Sequence, residues 1–532
     1  MLLSASATAR PLVLQALATS SHRSRARSLL PPFRQQLRKP LSSITRKASS
    51  SVVVAGASRG KKKEKGSKQQ QQRASKTSAA SSEGSVAESS PHPGSMSSQD
   101  LRGFAMPKTE ISASQFVEKY PTYDGRGTII AIFDSGVDPA ASGLRVTTDG
   151  KPKVIDIIDC TGSGDVDTSA VRELGEDGSI EGVYGKKMMP NPEWLNPTGK
   201  WHVGAARVFS FITRSLKRRV VDERKDKWQA AHRASTTAAL EALAAFDAAS
   251  PAPSTRALQK EREELQGRVD TLKKLGEAED SGPLLECVVW HDGSVWRSAF
   301  EVTDLSCHLE GLEEGEGACP GAKLATFTPL AEFDVEYKYG TFSLAAACNF
   351  GVHVYDEGKV LSVVADSSPH GTHVAGIAAA HHPDDPAMDG CAPGAQIISC
   401  KIGDSRLSGM ETGAGLARGI IAVIQKGADI INMSYGEATS LPNVGRFVDL
   451  ANEVVNEHGV VFVSSAGNDG PALSTIGAPA GTSSSIIAIG AWSSPLMAKS
   501  GHSVLEVPEE GVQYTWSSRG PALDGALAVG LS

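Results

Sequence analysis

The chain has 532 residues, 54 Lys+Arg against 60 Asp+Glu, and a formal net charge of −6. That length supports a large core and more than one structural unit, and no apolar run is long enough to span a bilayer. Residues 1–95 hold 17 Lys+Arg and 3 Asp+Glu, a balance of +14, so the remainder carries −20, and an acidic body argues against general nucleic-acid binding.

Before the first acidic residue, Glu64, lie Arg10, Arg23, Arg25, Arg27, Arg34 and Arg38 among serines and alanines. This pattern fits an organellar transit peptide better than a secretory signal. A plain disordered extension, or a start codon assigned too early, fits equally. Lys61-Lys62-Lys63-Glu64-Lys65 and the glutamines at 69–72 read as solvated low-complexity linker. Residues 1–105 are therefore expected to form a disordered leader, and order to begin near Met106.

From there to Val137 the pattern is helix, turn, strand. Gly127 to Phe133 reads as a buried strand ending in Asp134-Ser135-Gly136. Residues 140–365 read largely as an α+β insertion. Within it, Arg218–Phe246 and Ala257–Leu275 form a helical hairpin broken by Pro251-Ala252-Pro253. Val288 to Trp296 alternates around Asp292-Gly293, a β-hairpin signal. His370-Gly371-Thr372-His373 then opens an apolar helix, with Ala375 and Gly376 allowing close packing. A strand over Ile397–Ile402 follows, and a helix over Glu411–Lys426 ends at Gly427. Next come a strand over Asp429–Tyr435 and a helix over Asn443–His458. A final strand from Val460 runs into Ser464-Ser465-Ala466-Gly467-Asn468. Apolar strands alternating with helices predict an α/β fold, a doubly wound parallel sheet covered on both faces.

The seven cysteines are odd in number, irregularly spaced and without a Cys-x-x-Cys pair. Reduced thiols in an intracellular compartment are expected, and Cys307-His308 reads as incidental. No metal or cofactor is expected. His370 and His373 lack the intervening glutamate of the zinc-binding helix motif, and His373 is expected to face the core.

Asp134, His370 and Asn468 supply an acid, a base and an amide in chain order, each at a strand end or helix start. An aspartate can accept the Nδ1 proton of a histidine and hold its tautomer, while the ring moves protons at Nε2. A side-chain amide can stabilise an oxyanion. Those are three of four groups needed for acyl transfer through a serine. Gly481-Thr482-Ser483 does not supply the fourth, because Ser484-Ser485 lead into the strand-like Ile486-Ile487-Ala488-Ile489 and the position is too close to Asn468.

These motifs, with Met410-Glu411-Thr412-Gly413, Met433-Ser434-Tyr435-Gly436-Glu437-Ala438 and Tyr514-Thr515-Trp516-Ser517-Ser518-Arg519-Gly520-Pro521, carry a resemblance. From about Met106 to Ser532 the chain resembles the N-terminal part of plant and algal members of the tripeptidyl peptidase II family, large intracellular subtilases. The resemblance implies a subtilisin-like sheet incomplete at its C-terminus, with a large insertion between Asp134 and His370. It implies a serine exopeptidase that releases tripeptides from free N-termini, with Asp134, His370 and Asn468 catalytic. Glu411 and Glu437 would hold the substrate's α-amino group. It further implies peptide substrates, no nucleic-acid or membrane partner, a cytoplasmic location, and a large homo-oligomer for the full-length form. The nucleophilic serine is expected beyond Ser532, so the chain as written is expected to be inactive. A non-catalytic peptide-binding form and a subtilisin-like endopeptidase are the alternatives.

Overall fold

Ile129–Asp134 forms strand β1, whose side chains are almost entirely buried on both faces. The computed structural model describes residues 106, 108–252, 254–301, 324–343, 347–407, 409–437, 441–481, 483–501 and 509–527. The leader 1–105, Cys307, His308, Cys319 and Ala438 lie outside them. β1 is joined by β2 (Val154–Asp159), β3 (Gln396–Lys401), β4 (Ile430–Met433), β5 (Val461–Ser465) and β6 (Ile486–Ile489) in one sheet of order β6-β5-β4-β1-β3-β2. Every neighbouring pair is parallel.

Alternation along β1 divides the core. Ala131 and Phe133 pack with Ile398, Ile420, Val423, Ala451 and Phe462. Ile130 and Ile132 pack on the other face with Ala375, Ala379 and Ile397. Covered faces explain the continuous apolar strands. Helix α3 (His370–Ala379) lies on one side, and α4 (Gly413–Lys426) and α5 (Arg446–Asn456) on the other. Gly419 of α4 sits over the Phe133 ring, where a β-carbon would approach to 2.8 Å.

Between β2 and α3 the chain builds a separate α+β body. The span 140–365 thus contains one strand of the central sheet, β2, before the inserted elements begin. The helical hairpin is α1 (Arg214–Ala249) and α2 (Arg256–Gly276), capped by the hydroxyls of Thr213 and Thr255. Strands Leu284–His291 and Trp296–Glu301 pair around a four-residue turn whose Ser294 and Val295 N–H groups donate to Asp292. A five-stranded and a four-stranded sheet enclose a core of Phe211, Phe300, Phe342, Phe350 and neighbouring aliphatics.

A buried charge cluster ties this body to the central sheet. His353, on Cys348–Tyr355, places Nε2 2.9 Å from Asp156 of β2 and Nδ1 3.8 Å from Glu332. Lys426, at the end of α4, lies 2.9 Å from Asp156 and also pairs with Asp334. Asp156, Asp334 and His353 have the composition of a metal site, but the Lys426 ammonium already bridges the two aspartates. Burial disfavours the His353 charge, yet its bonds to Asp156 and Glu332 outweigh burial and push its pKa from 6.5 to about 9. A histidine raised in this way adds stability that is complete below pH 6.5 and lost as pH climbs through 9. The shift corresponds to roughly 3 kcal/mol. The thermal midpoint should therefore fall between pH 7 and 10, and fall less in His353→Gln. Equal slopes in the two proteins would contradict this assignment.

Candidate active site

Asp134 is the last residue of β1 and is fully buried. Its carboxylate accepts the N–H of Ser135 at 2.7 Å and the Ser135 hydroxyl at 3.1 Å. His370 is the first residue of α3, and its Nδ1 lies 2.9 Å from both Asp134 oxygens across 236 residues of sequence. A carboxylate only accepts, so Nδ1 carries the proton and Nε2 is left as the basic nitrogen. The ring is about half exposed, with a side-chain exposure of 54%, so Nε2 is open to a substrate.

Gly371 makes this approach possible. A β-carbon there would collide with the Gly136 carbonyl oxygen and stand 3.1 Å from the Asp134 side chain. Gly376, singled out from sequence for close packing, has open space around its α-carbon; Ala375 is buried. His373 does not face the core as expected. It is exposed, because Gly371, Ala375 and Ala379 form the buried stripe of α3. Ser135 had no role in the sequence reading, yet it staples the site. Its hydroxyl lies 3.1 Å from the Ser368 carbonyl as well as from the Asp134 carboxylate, so its single proton is shared between those acceptors, and it accepts the Gly371 N–H at 3.2 Å.

Asn468 stands exposed in the loop after β5, at the same carboxyl edge of the sheet. Gly467 has φ 111°, and a β-carbon on it would approach the Ser518 hydroxyl to 2.7 Å. Ser518 donates its N–H to the Gly467 carbonyl and its hydroxyl accepts the Asp469 N–H, both at 3.0 Å. The segment Tyr514–Pro521 therefore holds the Asn468 loop in place.

β4 lies between β1 and β5, and the chain beyond it carries Tyr435 and Glu437. Glu437 exchanges backbone hydrogen bonds with Ala478, at 3.1 and 2.7 Å, and its side chain is exposed. Glu411 precedes α4 rather than opening it, because the Thr412 hydroxyl caps the helix at Gly415. Burial raises the Glu411 pKa, and the charge of Glu437 raises it further. The two carboxylates thus share one electrostatic neighbourhood, which favours a cation between them.

Ser483 is elsewhere. It precedes β6, at the amino edge of the sheet, and its hydroxyl donates to the Asn452 side-chain oxygen at 2.6 Å. The length of a four-residue strand, about 13 Å, separates that edge from the Asp134 edge. Among the described residues no serine hydroxyl hydrogen-bonds the His370 ring.

A doubly wound parallel sheet, with an Asp–His pair and an asparagine loop at its carboxyl edge in the chain order Asp, His, Asn, defines a hydrolase scaffold of the subtilisin class. The model of the subtilase family matches residues 125–532, and the chain belongs to that family. It is 55% identical over 428 residues to tripeptidyl-peptidase 2 of Arabidopsis thaliana, covering 80% of this chain and 30% of the relative. Tripeptidyl-peptidase 2 of Caenorhabditis elegans is 42% identical over 435 residues, covering 81% and 30%. A crystal structure of tripeptidyl peptidase 2 superposes with a TM-score of 0.54 at 33% identity, over 78% of this chain and 31% of that one. The chain therefore spans about three tenths of the length of the relatives it matches.

Proposed function

We propose that this chain forms the acid–base and amine-recognition part of a serine exopeptidase that releases tripeptides from free N-termini of oligopeptides. Asp134 orients His370, His370 Nε2 takes the nucleophile's proton and returns it to the leaving amine, and the Asn468 amide donates to the oxyanion. Glu411 and Glu437 hold the α-ammonium group and so set the distance to the scissile bond. The nucleophile is a serine other than Ser483, outside residues 1–532, and the isolated chain does not hydrolyse peptides. Cytoplasmic peptide turnover and a large homo-oligomeric full-length form complete the reading. The observation that carries it is the pair of 2.9 Å contacts between His370 Nδ1 and the buried Asp134 carboxylate. The 55% identity to a tripeptidyl-peptidase 2 supports the exopeptidase specificity, as does the effect of Glu437 on Glu411. Among the described residues no helix is long and apolar enough to cross a membrane.

Calorimetric titration tests the amine site without needing turnover. Tri-alanine should bind the chain, and N-acetyl-tri-alanine should not. A charge-assisted hydrogen bond contributes about 1.5–3 kcal/mol, so Glu411→Gln or Glu437→Gln should each weaken binding roughly tenfold to a hundredfold. Binding should also fade with acidification, in a window displaced upward from that of an ordinary glutamate because the Glu411 pKa is raised by burial and by Glu437. Equal affinity for the free and acetylated peptides would remove the exopeptidase reading.

A further inference from the structure

Tyr435 has no part in the machinery above, yet it stands between its two halves. Its ring lies against Gly403 at the end of β3, where a β-carbon would come within 2.7 Å of both the ring and the phenol oxygen. Only glycine leaves room for it there. From the end of β4 at Met433 the chain passes through Tyr435 and Gly436 to the backbone pairing of Glu437 with Ala478. Tyr435 therefore stands two residues before Glu437 on the segment that leaves the carboxyl end of β4. The neighbours of the phenol link both parts of the site. Burial pushes its pKa up to about 12, helped by the charges of Asp134, Glu411 and Asp404. It therefore stays a neutral donor at any working pH. Among the described residues its hydroxyl has no hydrogen-bond partner, although the ring is half-buried in the core.

We propose that Tyr435 is a substrate-binding residue whose hydroxyl donates to a main-chain carbonyl of the bound peptide, between the ammonium held by Glu411 and Glu437 and the bond presented to His370. The chemistry fits the surroundings. Carboxylates on either side attract the ammonium end of a peptide but offer nothing to its carbonyl oxygens, and a neutral phenol in their midst supplies that donor. This inference rests on the exopeptidase reading. It adds a contact that reads backbone rather than charge, so it applies to tripeptides of any side chain.

The test is titration of tri-alanine into the 532-residue chain and into Tyr435→Phe, which keeps the ring on Gly403 and removes only the hydroxyl. A neutral hydrogen bond predicts affinity about three- to tenfold lower in Tyr435→Phe, with the preference for the free over the acetylated peptide retained. Unchanged affinity in Tyr435→Phe, with tri-alanine still bound by the unaltered chain and still preferred over its acetylated form, overturns this inference alone. Failure of the unaltered chain to bind tri-alanine overturns the amine-site reading and this inference with it. Unfolding of each protein by urea is followed in parallel. If Tyr435→Phe loses affinity only in proportion to a loss of folded protein, the hydroxyl is structural and the inference fails.

Discussion

The 532-residue chain is expected to release tripeptides from a free-ended oligopeptide no faster than its own His370→Ala variant. A base can act only on a nucleophile within hydrogen-bond reach. The Asp134–His370 pair has its geometry in place, but Ser483 sits at the opposite edge of the sheet. Its proton is already engaged by Asn452 at 2.6 Å. In a triad hydrolase of this class, loss of the serine lowers kcat by about 10⁶, which places turnover below detection in a mass-spectrometric assay of tripeptide products. Ser483→Ala should change nothing. Release by the pure chain that His370→Ala and Ser483→Ala each abolish would show that the loop before β6 rearranges to supply the nucleophile.

Lys401→Met is expected to destabilise the fold by about 3–5 kcal/mol, a large share of the 5–15 kcal/mol typical of a folded domain. Lys401 ends β3 and its side chain is fully buried. Its ammonium lies 2.9 Å from Asp404, 2.9 Å from the Ser163 hydroxyl and 3.5 Å from Asp159. Burial alone would raise the Asp159 pKa, but the Lys401 charge and local hydrogen bonds outweigh it and keep the pKa below the ordinary value. Methionine would leave Asp159 charged and short of its cation in the interior. Asp404 would keep Arg406 as its cation and the Ser163 hydroxyl as a donor. The loop that follows leads to Glu411, so the substitution should also weaken tri-alanine binding. Lys187→Met is the contrast. Lys187 pairs with Asp177, but its side chain is 71% exposed, and such pairs contribute little. Urea titrations should separate the two variants by several kcal/mol, and similar midpoints would contradict the assigned role of the buried cluster. Lys401→Met/Asp159→Asn should recover part of the loss.

Much of the central sheet was legible because its strands are short apolar runs closed by small or polar residues. β1, β4, β5 and β6 fall within the stretches so read, and β3 starts one residue earlier, at Gln396. β2 escaped notice because Val154-Ile155-Asp156-Ile157-Ile158-Asp159 carries two aspartates that suggest an exposed segment. Both are buried, and their partners His353, Lys426 and Lys401 come from 197 or more residues away. No local pattern announces such pairing. The start of α4 moved from Glu411 to Gly413 because the Thr412 side chain caps the helix, which leaves Glu411 in the loop before it.

The Asp134–His370 meeting was legible from a strand end and a glycine-bearing helix start. His373 was misplaced because one turn of helix was read without its small-residue stripe, Gly371, Ala375 and Ala379, which was present in the sequence. Ser135 and Tyr435 were visible as letters but not as parts of the site. The first acts through the Ser368 carbonyl and the Gly371 N–H. The second acts through its place over Gly403.

A crystal structure of the chain with tri-alanine bound tests the central claim most directly. The account predicts the ammonium nitrogen within about 3 Å of carboxylate oxygens of both Glu411 and Glu437, with the peptide running along the segment after β4 and its carboxyl end directed at His370 and Asn468. A peptide bound in the reverse direction, or with its ammonium away from both glutamates, would contradict it.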